Sequence, residues 1–395
     1  MIDLTPIVYI MLVGLGLIGA QAALSDKRLM LILSSPPPLA NSGYSRDVIE
    51  DLFLGELEEV FNTTSAIATP DVASVREKTI LSALADIGRV GDLAFAIQQR
   101  LGNNPYKVTA NFVAEGNKTM VLLSGYSATQ GQFQQVIYGE EGDFRALIKR
   151  AALEAARNID PYFRALYEFE RGDRRSAATF KFIDTLINEE LGARAKLLTP
   201  MRHSAFHNLR GLICLEKEDK QCALAAFDTA LAADPNFAIA RLNRAFTLVE
   251  LDRYVEAIAE AEKILGPPPM TDMKACIAAA KTLIGVAKWA KGDVAAAQSQ
   301  FAEAAATSPK FQTPLIYWSR MLAANNQPTN DFDARLAAMQ HDPTHVEFYA
   351  EIAMLYYWLN EKDQQPIKRR NVHEIRPPKR AGDDSDPPSS VGVRN

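Results

Sequence analysis

One spacing of residues is written three times between positions 203 and 310, and it leaves few folds open to this chain. Gly211, Ala223, Phe227, Ala230 and Pro235 form the first copy, and Gly285, Ala297, Phe301, Ala304 and Pro309 repeat the same offsets. The middle copy, Ala245, Ala257, Ala261, Ile264 and Pro269, keeps the spacing with different side-chain sizes. Read physically, a small residue in a first helix lets a second helix lie close, and small residues in the second helix answer it. The proline then ends the pair, because it offers no N–H and clashes with a preceding helical turn.

This pattern resembles the tetratricopeptide repeat, a helix-turn-helix unit of about 34 residues. The resemblance implies an α-solenoid of stacked helix pairs. Gly211 to Gly285 spans two units plus a surplus at residues 266–272, where Gly266, Pro267, Pro268 and Pro269 predict a loop. Weaker copies flank the array. Upstream, Tyr162, Ala178 and Phe182 fit a degenerate unit from about Ile159; downstream, Trp318, Leu322, Ala338 and Pro343 fit a decayed one, and residues 345–359 read as a closing helix. Terminal repeats of a one-dimensional stack are expected to be atypical, since each caps an exposed end.

Ahead of the array the period changes. Residues 6–24 are a nearly unbroken apolar run, just long enough to span a bilayer, so residues 1–27 are expected to be a transmembrane anchor. A cleaved signal peptide is the second reading, because Ala20-Gln21-Ala22 has the small-x-small pattern although no Lys or Arg precedes it. Lys27 and Arg28 favour a cytoplasmic body by the positive-inside rule. The same run holds Gly14, Gly16 and Gly19, a formal match to the dinucleotide-binding fingerprint, which makes a nucleotide-binding enzyme the rival reading. That context fails downstream: no acidic residue closes the next apolar run, and no alternating strand and helix units follow. In a membrane helix the same glycines are packing contacts.

Residues 28–158 predict a small α+β domain. Leu29 to Leu33 is a short strand, and Ser45 caps a helix with Val48, Ile49, Leu52, Phe53, Leu57 and Val60 on one face. A second helix is expected over residues 92–101, ended by Gly102. Three runs of period two, 106–114, 120–126 and 132–138, predict an antiparallel meander. Helix returns over 143–159 and runs into Asp160-Pro161 without a flexible linker. The fold class expected is therefore mainly α: a solenoid over 159–360 preceded by the α+β domain and an N-terminal transmembrane helix. The order of membrane segment, Gly43-Tyr44-Ser45 helix start, Leu101-Gly102 helix end, meander and Asp160-Pro161-Tyr162 junction resembles a group of bacterial membrane-anchored tetratricopeptide proteins. That resemblance implies a single-pass inner-membrane protein with a periplasmic body and no established reaction. Residues 361–395 are polar, broken by Pro377-Pro378 and Pro387-Pro388, and read as a disordered tail.

Composition narrows the chemistry. A formal net charge of -5 over 395 residues gives no reason to expect nucleic acid as a partner. Three cysteines, Cys214, Cys222 and Cys276, have no metal-like spacing and read as reduced helix residues. His203 and His207 could share a helix face, but no Glu and no third ligand accompany them; His341, His345 and His373 are weaker still. No phosphate-binding loop is present, and Gly125-Tyr126-Ser127-Ala128-Thr129 lacks the second glycine of a serine nucleophile elbow. The carboxylate pairs Glu58-Glu59 and Glu189-Glu190 read as solvated faces, so neither metal nor cofactor is expected.

A stack of helix pairs curves, and its first helices line a concave surface suited to a peptide. The residues expected on that surface are Asn208, Leu212 and Leu215, then Leu242, Phe246 and Val249, then Thr282, Val286 and Trp289. In the co-chaperone branch of the family a basic and asparagine clamp grips a terminal carboxylate. Asn243 matches one clamp position, but Leu212, Thr282 and Val286 stand where polar or basic residues are required. The expected function is a non-enzymatic, membrane-tethered adaptor with a protein or peptide partner. An envelope-assembly or secretion accessory role differs only in the partner.

Overall fold

The computed structural model describes residues 29–34, 39, 41, 43–63, 106–115, 118–127, 130–140, 142–172, 176–309 and 311–330. Among the described residues the protein is mainly helical, with one small sheet. Its contacts divide it into two compact units, residues 1–197 and 198–395.

In the first unit, strands β1 (Leu29–Ser34), β2 (Tyr106–Glu115), β3 (Lys118–Ser127) and β4 (Gly131–Tyr138) lie in the order β1-β2-β3-β4. The expected meander is present, with β2 and β3 and then β3 and β4 antiparallel. β1 adds to it in parallel, Leu29 opposite Tyr106, so the sheet is mixed. Helix α1 (Arg46–Phe61) starts at Ser45, whose hydroxyl accepts the Val48 N–H at 3.4 Å. Ile49, Phe53, Leu57 and Val60 are buried as the spacing predicts, whereas Val48 is 40% exposed because it lies off the end of that stripe. Helix α2 (Phe144–Ile159) is capped by Asp143, which accepts the Ala146 N–H at 3.0 Å, and it packs on α1, β2, β3 and β4. Val108, Ala110, Phe112, Val121 and Leu123 are buried on one set of alternate sheet positions, as expected of a sheet packed on one face.

Asp160 both ends α2 and starts α3 (Pro161–Arg171), its side chain accepting the N–H groups of Tyr162 at 3.1 Å and Phe163 at 3.5 Å. Pro at the first helical position needs no N–H there. α3 packs on α4 (Ala177–Leu191). This pair falls in the same compact unit as the sheet, which runs to Leu197. The register also differs from the expected degenerate repeat. Phe180, Ile183, Leu186 and Ile187 are buried, while Ala178 is exposed and Phe182 half-buried.

The second unit is described through α5 (Pro200–Glu216), α6 (Lys220–Ala233), α7 (Ala238–Val249), α8 (Tyr254–Leu265), α9 (Lys274–Ala290), α10 (Val294–Thr307) and α11 (Thr313–Ala324). Each helix packs on the next, and α5, α7, α9 and α11 also touch in that order. The repeated small residues explain the pairing. A Cβ on Gly211 would lie 2.3 Å from the Phe227 ring, and one on Gly285 would lie 2.7 Å from the Phe301 ring. In the middle pair Ala245 and Ala261 are both fully buried, so two medium residues replace a large and an absent side chain. Ala223, Ala230, Ala257, Ala297 and Ala304 are buried at the same interfaces. Pro235 and Pro309 follow the ends of α6 and α10, and Pro269 lies in the loop after α8, where Met270 N–H donates to the Ile264 carbonyl at 2.9 Å.

Among the described residues no helix is long and apolar enough to cross a membrane. The expected anchor at 6–24 with its Gly14, Gly16 and Gly19, the helices at 92–101 and 345–359, Ala338, Pro343, His341, His345, His373 and the 361–395 tail lie outside the described residues.

Candidate partner-binding surfaces

The row expected to face a partner is inside the protein. Asn208, Leu212, Leu215, Leu242, Phe246, Val249, Thr282 and Val286 are all buried, and Trp289 alone of the row is half-buried. Their helices are packed on several sides at once, since α7 meets α5, α6, α8 and α9. Residues placed on the first-helix face by spacing therefore act as packing between successive first helices. The polar members are tied down within that packing. Asn243 Nδ2 donates to Asn208 Oδ1 at 2.8 Å, bridging α5 and α7. The Thr247 and Thr282 hydroxyls donate to carbonyls of their own helices, Asn243 at 2.8 Å and Ala278 at 2.7 Å.

Beside this row, His203, His207 and Arg210 form a half-buried stripe on α5. Burial, reinforced by the charges of Arg210 and His203, pulls the His207 imidazole down to about 4, so it is neutral at physiological pH. No group of three or more His, Cys, Asp or Glu able to hold a metal ion occurs among the described residues. Cys214 and Cys222 are joined by a disulfide across the α5–α6 turn, with Cα atoms 5.7 Å apart. This corrects the expectation of three reduced cysteines; their side chains converge because the tight turn brings the end of α5 against the start of α6. Cys276 is buried and takes no part in the disulfide.

Of the charged pairs singled out in the sequence, Glu189 and Glu190 have structural partners. Glu189 bonds Arg157 at 2.7 Å, and Glu190, itself buried, bonds Arg194 at 2.8 Å and Gln130 at 3.0 Å. Ser127, in the failed elbow, lies buried on β3 and donates to the Ile159 carbonyl at 3.4 Å. A further ionic cluster joins α6, α7 and α8: Glu260 pairs with Arg241 at 2.8 Å and Arg244 at 3.4 Å, and Arg244 reaches Asp228 at 2.6 Å.

The first unit contains a cleft of about 400 Å³ that the sequence reading did not single out. Gln135, Val136, Ile137 and Tyr138 of β4 form one wall, Arg150, Leu153 and Glu154 of α2 another, and Arg164 of α3 contributes the last charge. Arg164 is 6% exposed; it pairs with Glu168 one turn on and lies 4.7 Å over the Phe182 ring. Its Nε is buried without a hydrogen-bond partner. Glu154 accepts from Gln135 Nε2 at 3.4 Å and stands 3.7 Å from Arg157. Only the uncharged strand Gly-Gln-Phe-Gln-Gln-Val-Ile-Tyr could have signalled the site, since Arg150 and Arg164 come to the cleft from two different helices, which spacing does not encode.

No protein-family model, curated protein or solved structure matches this chain.

Proposed function

We propose that the protein is a membrane-tethered tetratricopeptide adaptor: residues 6–24 fix it to the bilayer, and its α-solenoid holds a protein partner. The observation that carries this reading is the repeated glycine and phenylalanine contact, Gly211 on Phe227 and Gly285 on Phe301, in helix pairs that pack neighbour to neighbour. Stacks of this kind build long rigid surfaces from short units, and recognition is their characteristic use. Gly14, Gly16 and Gly19, on which the nucleotide-binding alternative rests, lie outside the described residues. The disulfide between Cys214 and Cys222 belongs to an oxidising compartment and supports a periplasmic body. On that side an envelope-assembly role is the same activity with an envelope partner.

The burial of the first-helix row moves the expected contact to its surface end. Trp289, half-buried at the end of α9, gives a partner an aromatic anchor of the kind that dominates protein interfaces. A photo-crosslinking side chain placed at position 289 in the membrane-bound full chain is expected to trap one defined partner, and the same probe at Val255, 68% exposed on α8, is expected to trap none. Equal capture at both positions, or capture at 255 alone, would remove the repeat row from the binding surface.

A further inference from the structure

We propose that the edge of β4, open among the described residues, takes up an extended acidic segment of a partner protein as an added strand, with one of its carboxylate side chains held between Arg150 and Arg164. This goes beyond the adaptor surface on the repeats, because it concerns a different site in the other compact unit.

Among the described residues β4 is the last strand of the sheet, paired on one side with β3. The Gly139 N–H donates to the Thr119 carbonyl at 2.7 Å, which fixes the alternation. Residues 133, 135 and 137 turn their backbone groups to β3, so those of Gln132, Gln134, Val136 and Tyr138 point outward. Proteins ordinarily blunt such an edge with charge, proline or a bulge. β4 has no charged residue and no proline from Gly131 to Tyr138, and its register with β3 is unbroken. It is therefore competent to pair, as strand-adding recognition sites are.

The chemistry beside the edge selects what pairs. Side chains of an added strand alternate between faces, so every second one enters the helix side of the sheet, where the cleft lies. Three charged side chains line that cleft, and they differ in what they already hold. Glu154 is engaged by Gln135 and Arg157. Arg164 is held by Glu168 and Phe182 with its Nε unpartnered, and Arg150, exposed on α2, has no ion-pair partner among the described residues. The uncommitted charge is positive, and a carboxylate arriving on a strand can accept from both guanidinium groups. Val136 and Tyr138, 44% and 67% exposed, offer apolar surface to the strand's opposite face.

The test titrates the detergent-solubilised full chain, by calorimetry, with an acetylated and amidated eight-residue peptide alternating Val or Thr with Glu. Saturable binding is expected, weakened at least about tenfold when the peptide's Glu residues become Gln. Val136→Pro removes only an outward-facing donor, and Arg150→Glu reverses an exposed charge, so both variants are expected to fold, checked by circular dichroism, and to lose the peptide. No binding to the unmodified chain would overturn the proposal, as would equal binding by folded Val136→Pro. Binding confined to peptides with a free C-terminal carboxylate would overturn the side-chain assignment. Concentration-dependent dimerisation abolished by Val136→Pro, without peptide binding, would assign the edge to a second copy of this chain instead.

Discussion

Replacing Gly211 by alanine tests whether the repeat spacing is a packing rule. At an unobstructed helix position the change would stabilise the protein by about 1 kcal/mol, because glycine is the poorer helix former. Here the new methyl would lie 2.3, 2.6 and 2.7 Å from Cε1, Cζ and Cδ1 of Phe227. That ring is fully buried, so no flexible side-chain end can swing away. Overpacking of this kind costs about 1–3 kcal/mol, and three sub-contact distances place it in the upper part of that range. The balance expected for Gly211→Ala is a loss of about 1–2 kcal/mol. Gly285→Ala, with its nearest contact at 2.7 Å, is expected to lose less.

The middle pair supplies the control. Ala245 and Ala261 occupy the positions of Gly211 and Phe227, so the double variant Gly211→Ala, Phe227→Ala copies a combination the protein already uses. Phe227→Ala alone leaves a cavity and is expected to cost about 3–5 kcal/mol. With the ring gone the methyl at 211 no longer clashes and the helix preference for alanine returns. The double variant should therefore be more stable than the sum of the singles by about 1–3 kcal/mol. Urea unfolding of the full chain in detergent, followed through the fluorescence of its three tryptophans, reads these differences. Stabilisation by Gly211→Ala, or strict additivity in the cycle, would refute the idea that the glycine exists to seat the ring.

The remaining predictions concern buried polar groups and the disulfide. His207 titrates near 6.5 when unfolded and about 4 when folded, so only the unfolded chain gains its proton as pH falls between those values. That difference is worth about 3 kcal/mol at full burial, and screening at this partly exposed site reduces it to roughly 1–2 kcal/mol. His207→Gln should therefore flatten the fall in unfolding midpoint between pH 6.5 and 4, and an unchanged slope would contradict the burial argument. Asn243→Ala strips the buried amide of Asn208 of its bond and should cost about 1–3 kcal/mol in the same unfolding assay, whereas Leu at both positions should be better tolerated. The Cys214 to Cys222 bridge closes a separation of eight residues; chain entropy puts its contribution at about 2.5 kcal/mol. Thiol labelling of protein extracted without reductant should modify neither cysteine, and reductant should lower the urea midpoint.

Glu260 gives a second acid-sensitive group with a different cause. Burial pushes its carboxyl up, but the hydrogen bond from Lys263 and the charges of Arg244 and Arg241 outweigh it, and its pKa lies below the usual value of 4.5. A carboxyl lowered on folding stabilises above its unfolded pKa and loses that contribution as pH falls through the folded one. Glu260→Gln should weaken the protein at neutral pH and narrow its difference from the parent below pH 4.5, read from urea midpoints at each pH.

Much of the fold was legible because it is locally encoded. Ser45, Asp143 and Asp160 announce helix starts by offering an oxygen to the next free N–H groups, and Gly211 and Gly285 announce close contact by having no side chain. The parallel pairing of β1 with β2 was not, since it joins residues more than seventy positions apart with no turn to set the register. The site was harder to read for a related reason. An apolar residue on a first helix satisfies an open groove and a helix-helix seam equally well, and Leu242, Phe246 and Val286 fill the seam. The β4 cleft shows the converse. Its groups keep hydrogen-bonding capacity that no other described residue takes up: the outward backbone of Val136 and Tyr138, the Nε of Arg164, and the guanidinium of Arg150. Such a surplus is visible only once the partners among the described residues have been placed, so the groups left over in the first unit argue for the proposed strand-adding site more directly than the repeated spacing argues for a groove in the second.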